Sequence, residues 1–359
     1  MKKIKYSIAI IGCGRIVGHH IGAIEEIDGL SIAAVCDIDE NKAKAYSEEF
    51  SIPFFQNYRT MLSSIPEVDI VVIATPSGMH YEHAKEIIEK YDKHVVVEKP
   101  TFMRHDQLNE IYSIASKKNL SIFPVFQNRF NSAVKRVKTA IDNNELGDIR
   151  ILNVRLRWCR PQRYYDMSPW RGTYSHDGGA ITNQGIHHID LLRYLGGELE
   201  EVNSITRTLG SDIEVEDSMV SIFSYSSGAI GSLEITTSAR PDDFEASISI
   251  IGSRGLAQIG GVAVNELQVF TPKPSDCIQF SDNFEELEGR SKIYGKGHIE
   301  FYQKVANYFI SGSEFTVDEE DCFNTISLLH SFYVSAEEKR WIKVSDRKFS
   351  SNLGKENDN

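Results

Sequence analysis

A chain of 359 residues is too long for one ordinary core and comfortable for two domains. Its 41% hydrophobic and 25% charged residues are the balance of a folded globular protein, which excludes a disordered chain. The formal net charge of −12 repels phosphate backbones, so nucleic acid is not an expected partner, and no apolar run reaches the ~20 residues of a membrane span.

Met1-Lys2-Lys3-Ile4-Lys5 followed by Ile8 to Ile11 imitates an export signal. The apolar run is short and Arg15 follows at once, so a cytoplasmic protein is expected. Buried β-rich runs follow at 6–11, 31–36, 69–74, 94–98 and 121–125, with helical patterns between them, for example at 79–90 and 106–118. Strand and helix in alternation predict an α/β Rossmann domain, a doubly wound parallel sheet, over residues 1–125. From about 148 the strands lengthen and alternate: 151–158, 217–225, 229–237 and 245–251, with Ser226-Ser227-Gly228 as a hairpin turn. One helix is expected at 179–195. This predicts an α+β domain with a large, mostly antiparallel sheet over 126–345. Helical patterns near 298–310 and 318–338 close the chain, before a polar tail at 346–359 that is expected to be disordered from 351. The five cysteines form no CxxC pair, so they read as reduced thiols, and no metal site is expected.

The first strand runs into Gly12-Cys13-Gly14-Arg15. Gly12 permits a tight turn, and Gly14 lets the backbone approach a pyrophosphate at a helix N-terminus. The third glycine of the usual pattern is replaced by Val17. Asp37 ends the second strand, where an acid bonds the ribose hydroxyls of NAD and repels the extra phosphate of NADP. Capping of the next helix is its plainer role. Lys99, between Glu98 and Pro100 at the end of the fifth strand, is held extended by the proline. Asn183, His187 and Asp190 fall at i, i+4 and i+7, on one helix face. The plain reading is a core histidine satisfied by Asp190. Six arginines, at 150, 155, 157, 160, 163 and 171, stand close together with only Asp166 to offset them. They suit a phosphate or carboxylate, and the competing role is a solvated strand face paired to acids.

Together these residues resemble the glucose-fructose oxidoreductase/inositol dehydrogenase family. The likeness lies in GCGRI with His20, ATPSGMHYEHA at 74–84, EKP at 98–100 and the segment ending HHID. It is narrower to the nucleotide-sugar 3-dehydrogenases that act on UDP-N-acetyl-glucosaminuronate, through 127–138, 157–166, 169–197, 259–269 and 294–302. The resemblance implies NAD contacts at Gly12, Gly14, Arg15, Ile16, Asp37, Thr75, His80, Glu98, Lys99 and Gln127. It implies Lys99 and His187 as the catalytic pair, with the proton going to either. Asn183 stands where many relatives carry Asp, as in that narrower branch. Arg160, Tyr164, Tyr165 and Arg171 are the expected substrate contacts, with Lys99, Asn183 and His187. A homotetramer through open sheet faces is also implied. The expected reaction is oxidation of the C3 hydroxyl of such a sugar for bacterial surface polysaccharide. The alternatives are a dehydrogenase of free sugar or inositol, a redox-neutral lyase, and a non-enzymatic NAD sensor.

Overall fold

The structure, a computed structural model, describes residues 5–282 and 297–355. The chain forms two compact units: Met1–Gln127 with Lys296–Phe323, and Asn128–Gly295 with Asn324–Asn359.

In the first unit, strands β1 (Tyr6–Ile11), β2 (Leu30–Cys36), β3 (Phe54–Phe55), β4 (Ile70–Ile73), β5 (His94–Val97) and β6 (Ile122–Pro124) form one sheet. Their order is β3-β2-β1-β4-β5-β6, and every pairing is parallel. Ile8 to Ile11 and Ile70 to Ile73 are buried throughout, as expected of strands covered on both faces. The order turns back between β1 and β4, which places the ligand crevice at their carboxyl ends. Gly12 leaves β1 there with φ of +88°, and a Cβ on it would stand 2.6 Å from the Ala74 carbonyl oxygen. Only glycine fits. Val17, in place of the usual small residue, is fully buried in the helix Val17–Glu25.

The helix Gly297–Ser311 belongs to this unit, although it lies far along the chain. It buries Phe301, Tyr302 and Val305, and Phe309 stacks on Tyr6 at 4.6 Å. Its apolar pattern foretells burial but not the partner. Tyr294, Gly295 and Lys296, at the start of the 294–302 likeness, lie outside the described residues, as do 1–4 and 356–359.

The second unit holds eight strands: β7 (Ile149–Arg157), β8 (Leu199–Arg207), β9 (Ser218–Tyr225), β10 (Ile230–Thr236), β11 (Glu245–Gly252), β12 (Leu256–Gly260), β13 (Glu266–Phe270) and β14 (Ile342–Lys343). Their order is β13-β12-β11-β7-β10-β9-β8-β14. All pairings are antiparallel except β7 with β10. One face, with Leu152, Val154, Leu156, Leu233 and Ile235, is buried. The other exposes Ile205, Val220, Ile222 and Ile230 by half or more.

Two expectations change here. The single helix at 179–195 is two, Gly179–Asn183 and Ile186–Gly196. The break falls at Gly185, where a Cβ would meet the Ile235 side chain at 2.4 Å, so the backbone presses directly on β10. The polar tail is also packed as far as Gly354. Leu353 is fully buried, Ser350 donates its N–H to His330, and Gly354 donates to the Tyr174 carbonyl. One leucine anchors a segment whose composition reads as solvated.

Candidate active site

At the carboxyl end of the parallel sheet, Asp37 accepts the Cys13 N–H at 2.7 Å and the Asp39 N–H at 2.8 Å. It therefore clamps the glycine turn to the end of β2. Asp39, two residues on, is the helix cap. A carboxylate has about four lone-pair sites, so Asp37 retains acceptors for a ribose. Gly14 has nothing within 4 Å of where a Cβ would stand, and Tyr46 donates its hydroxyl to the Gly14 carbonyl at 3.0 Å. Ile38, 93% exposed beside Asp37, offers apolar surface suited to a flat base. The sequence reading missed it, and its only signal was an isoleucine just past a buried strand. Arg15 is exposed and Ile16 half-buried, both beside the turn. Thr75 follows β4, with His83 at 3.0 Å from its hydroxyl. Gln127 is buried after β6. These residues fit NAD: the turn and its helix would hold the pyrophosphate, and Asp37 the adenosine ribose.

Two expected cofactor contacts also have partners within the protein. His80 is buried with its ring nitrogens 2.9 Å from the Pro100 carbonyl and 2.8 Å from that of Thr75, tying two loops together. Burial lowers its pKa. Glu98 Oε1 accepts from His20 Nε2 at 3.0 Å, with His298 Nε2 at 4.0 Å, and its Oε2 accepts the Lys99 N–H at 3.1 Å. Burial alone would raise its pKa, but the bonds from His20 and His298 outweigh that and hold the carboxyl well below its usual range. The ligating atoms of His20, Glu98 and His298 lie within 4.8 Å of one another, a closeness that sequence spacing does not reveal. Lys99 itself is half-buried.

In the second unit, His187 is buried near the start of the helix Ile186–Gly196. Asp190 does not serve it. The carboxylate is taken bidentately by buried Arg129, at 2.8 and 2.6 Å, and by the Thr325 hydroxyl at 3.2 Å. The supposed satisfied His–Asp pair is therefore replaced by an Arg–Asp pair. Asn183 donates its amide to Asp177, which also accepts the Gly172 N–H at 2.7 Å. Beneath this short helix lies Glu216. It accepts the Ile181 N–H at 3.0 Å and sits 3.0 Å from the Tyr333 hydroxyl. Burial pushes its carboxyl up to about 8, against the opposing pull of that N–H.

The six arginines divide. Arg155 and Arg157 lie on the exposed sheet face, paired with Glu245 and, for Arg157, also Glu234. For these two the solvated, acid-paired strand face holds. Arg150 and Arg163 are exposed. Arg160 bonds Asp243 at 2.8 Å and stacks on Trp158 at 5.0 Å. Arg171 lies against the rings of Tyr164, at 4.3 Å, and Trp170, at 4.6 Å. Its guanidinium has no hydrogen-bond or ion-pair partner among the described residues, and Nε is shut off from solvent. It borders a groove of about 410 Å³ with Tyr165, Gly172 and Asp212. Tyr165 is buried, its hydroxyl 3.0 Å from that of Thr237, so it supports Tyr164 and does not face the groove with a free hydroxyl.

A parallel sheet with a glycine turn and an acid-ended second strand, followed in one chain by a mostly antiparallel sheet, defines an NAD-binding oxidoreductase. The model of the oxidoreductase family with NAD-binding Rossmann fold matches residues 6–126, and that of the GFO/IDH/MocA C-terminal domain matches 134–258. The chain belongs to this GFO/IDH/MocA oxidoreductase family. It is similar to the WlbA dehydrogenase of Bordetella pertussis solved with NADH and UDP-GlcNAcA: 34% identity, TM-score 0.88, covering 96% of this chain and 99% of that one. The corresponding WlbA of Chromobacterium violaceum, also with NADH and UDP-GlcNAcA, gives 35%, 0.84, 96% and 97%. Among curated proteins, the myo-inositol 2-dehydrogenase of Thermotoga maritima is 24% identical over 94% of this chain and 98% of its own length. The protein is thus an oxidoreductase with NAD as its cofactor. Among the described residues, no helix is long and apolar enough to cross a membrane.

Proposed function

We propose that the protein oxidises the C3 hydroxyl of a UDP-N-acetyl-glucosaminuronic acid-type nucleotide sugar. Bound NAD supplies the hydride acceptor. His187 takes the hydroxyl proton, an imidazole being suited to transfer near neutral pH. Lys99, as an ammonium, stabilises the developing alkoxide. Asn183, oriented by Asp177, and the Tyr164–Arg160–Arg171 stack bind the substrate, with Tyr165 as their support.

The observation that carries this reading is Arg171. Two rings lie against its guanidinium, and a buried donor without an acceptor is costly. The forked N–H donors of a guanidinium match a phosphate or carboxylate better than a neutral polyol. The solved relatives with UDP-GlcNAcA bound support the same substrate class. We further propose a cytoplasmic homotetramer whose contacts use the exposed face of the second sheet, because Val220, Ile222 and Ile230 form an apolar patch there. Sedimentation at micromolar concentration reads the assembly, and a monomer would end that part of the proposal.

The test is NADH absorbance with a panel of UDP-GlcNAcA, UDP-GlcNAc, myo-inositol and glucose. Turnover is expected with the uronate alone, lost in Lys99→Met and His187→Asn. Turnover of inositol or glucose and not the uronate would refute the substrate. Wild-type rates in both variants would refute the catalytic pair.

A further inference from the structure

Glu216 is buried beneath the helix Gly179–Asn183, and its contacts fix where the local protons sit. The Tyr333 hydroxyl, on the helix Glu319–Glu338, has three partners: the Gly178 carbonyl, the Thr182 hydroxyl at 2.9 Å and Glu216 Oε1 at 3.0 Å. A carbonyl oxygen only accepts, so the one phenol proton goes to Gly178. Thr182 is fully buried, and Tyr333 is the one partner of its hydroxyl among the described residues, so Thr182 donates to the phenol oxygen. The contact between Glu216 and Tyr333 then takes its proton from the carboxyl. Oε1 also accepts the Ile181 N–H at 3.0 Å. Oε2 is shut off from solvent and has no hydrogen-bond partner among the described residues. Every contact is satisfied with Glu216 as a carboxylic acid. Ionised, it would have one N–H for its two oxygens and would face a hydroxyl whose proton is already used.

The surroundings favour the same state. The titratable groups around Glu216 are Tyr333 on its helix, and Tyr174 and Asp177 on the loop before the short helix. Glu214 and Asp217 flank it on its own segment, with Asp217 bonded to the Leu209 and Gly210 N–H groups. None is a cation, and burial, with a smaller contribution from Asp177, raises the Glu216 carboxyl to about 8. The acid is also built into the turn above it. Gly178, Ala180, Ile181 and Thr182 each bond Glu216 or Tyr333, and a Cβ on Gly179 would stand 2.2 Å from Oε1. Asn183 ends this turn, with its amide on Asp177. We propose that Glu216 is a positioning residue held as a carboxylic acid, which through Tyr333 fixes the turn that presents Asn183 to the sugar. This rests on the reading of Asn183 as a substrate contact. When the proton leaves to solvent, the Tyr333 O–H turns to the carboxylate and the Gly178 carbonyl loses its donor. A second negative charge then acts on Asp177, which holds Asn183. Sugar binding weakens as pH rises, and NAD binding, made by the first unit, does not follow it.

The test reads the acid and its effect separately. Infrared difference spectra of the full-length protein and of Glu216→Gln are expected to show at pH 7 a protonated-carboxyl C=O band that the substitution removes and that fades as pH rises. The KM for UDP-GlcNAcA and for NAD is then measured from pH 7 to pH 9. If only the protonated form binds sugar, a midpoint of about 8 raises the wild-type sugar KM about tenfold across that range. Glu216→Gln, which cannot ionise, should hold a sugar KM without that rise, and the KM for NAD should follow one pH course in both proteins. Tyr333→Phe should raise the sugar KM at every pH and spare that for NAD. A role in stability alone would not produce these splits. The proposal is overturned if the substitution removes no protonated-carboxyl band at pH 7, or if the sugar KM of wild type and Glu216→Gln runs in parallel with pH. A pH rise that survives undiminished in Asn183→Ala overturns it too, because the acid would then act on another contact. Should Glu216→Gln fail to fold, a Tyr333→Phe sugar KM equal to wild type overturns it. If band and slopes behave as expected with another sugar and not with the uronate, the positioning role stands and the reading of the substrate fails.

Discussion

Replacing Glu216 with glutamine tests the electrostatics beneath the helix Gly179–Asn183. The wild-type carboxyl is raised from 4.5 to about 8, because burial disfavours its charged form. In the unfolded chain it ionises near its ordinary value. Between those two pH values the native state holds a proton that the unfolded state has lost, so stability falls as pH rises. The contribution is intact below about pH 4.5, declines through neutrality and levels off above about pH 8. At about 1.4 kcal/mol for each pH unit, the full span is about 5 kcal/mol. Glutamine cannot ionise, and its carbonyl can still accept the Ile181 N–H. The variant should match wild type within about 1 kcal/mol at pH 4.5 and exceed it by several kcal/mol at pH 9. Urea unfolding of both proteins at pH 4.5, 7 and 9, followed by circular dichroism, measures the difference. Parallel losses of stability in the two proteins across that range would show that Glu216 is already ionised in the native state.

Asp37→Ser should lower the preference for NAD over NADP on the order of ten- to a hundredfold, the worth of one charge-assisted bond. Because Asp37 also clamps the Cys13 N–H, the KM for NAD should rise as well; an unchanged ratio of kcat/KM for the two cofactors would count against the assignment. Arg129→Met leaves Asp190 buried and uncompensated, and should cost about 3–5 kcal/mol, whereas Arg129→Met with Asp190→Leu should recover most of it. Equal denaturation midpoints for the single and double variants would contradict that reasoning.

Much of this protein is local enough to read from its sequence. The parallel strands appear as unbroken apolar runs because both their faces are covered, and Gly12 and Asp37 stand at strand ends whose chemistry follows from position. Asn183, His187, Lys99 and the arginine cluster were likewise visible as residue types in a pattern. Which arginines find an acid was not. Arg155 and Arg157 find Glu234 and Glu245 only when β10 and β11 are laid beside β7, and Arg171 meets the rings of Tyr164 and Trp170 only when these close on it.

The same limit governs the charged interior. Periodicity tells that Glu98 and Asp190 lie on buried elements, but a carboxyl's charge depends on which donors meet it, and these come from far along the chain. Asp190 meets Arg129, and Glu98 meets His20, His298 and, through His20, Tyr302. Glu216 meets Tyr333 and a backbone N–H without a cation. Strand and glycine turn were thus settled by short-range pattern. The protonation of the buried acids was settled by packing, because desolvation and hydrogen bonding act through space and not along the chain.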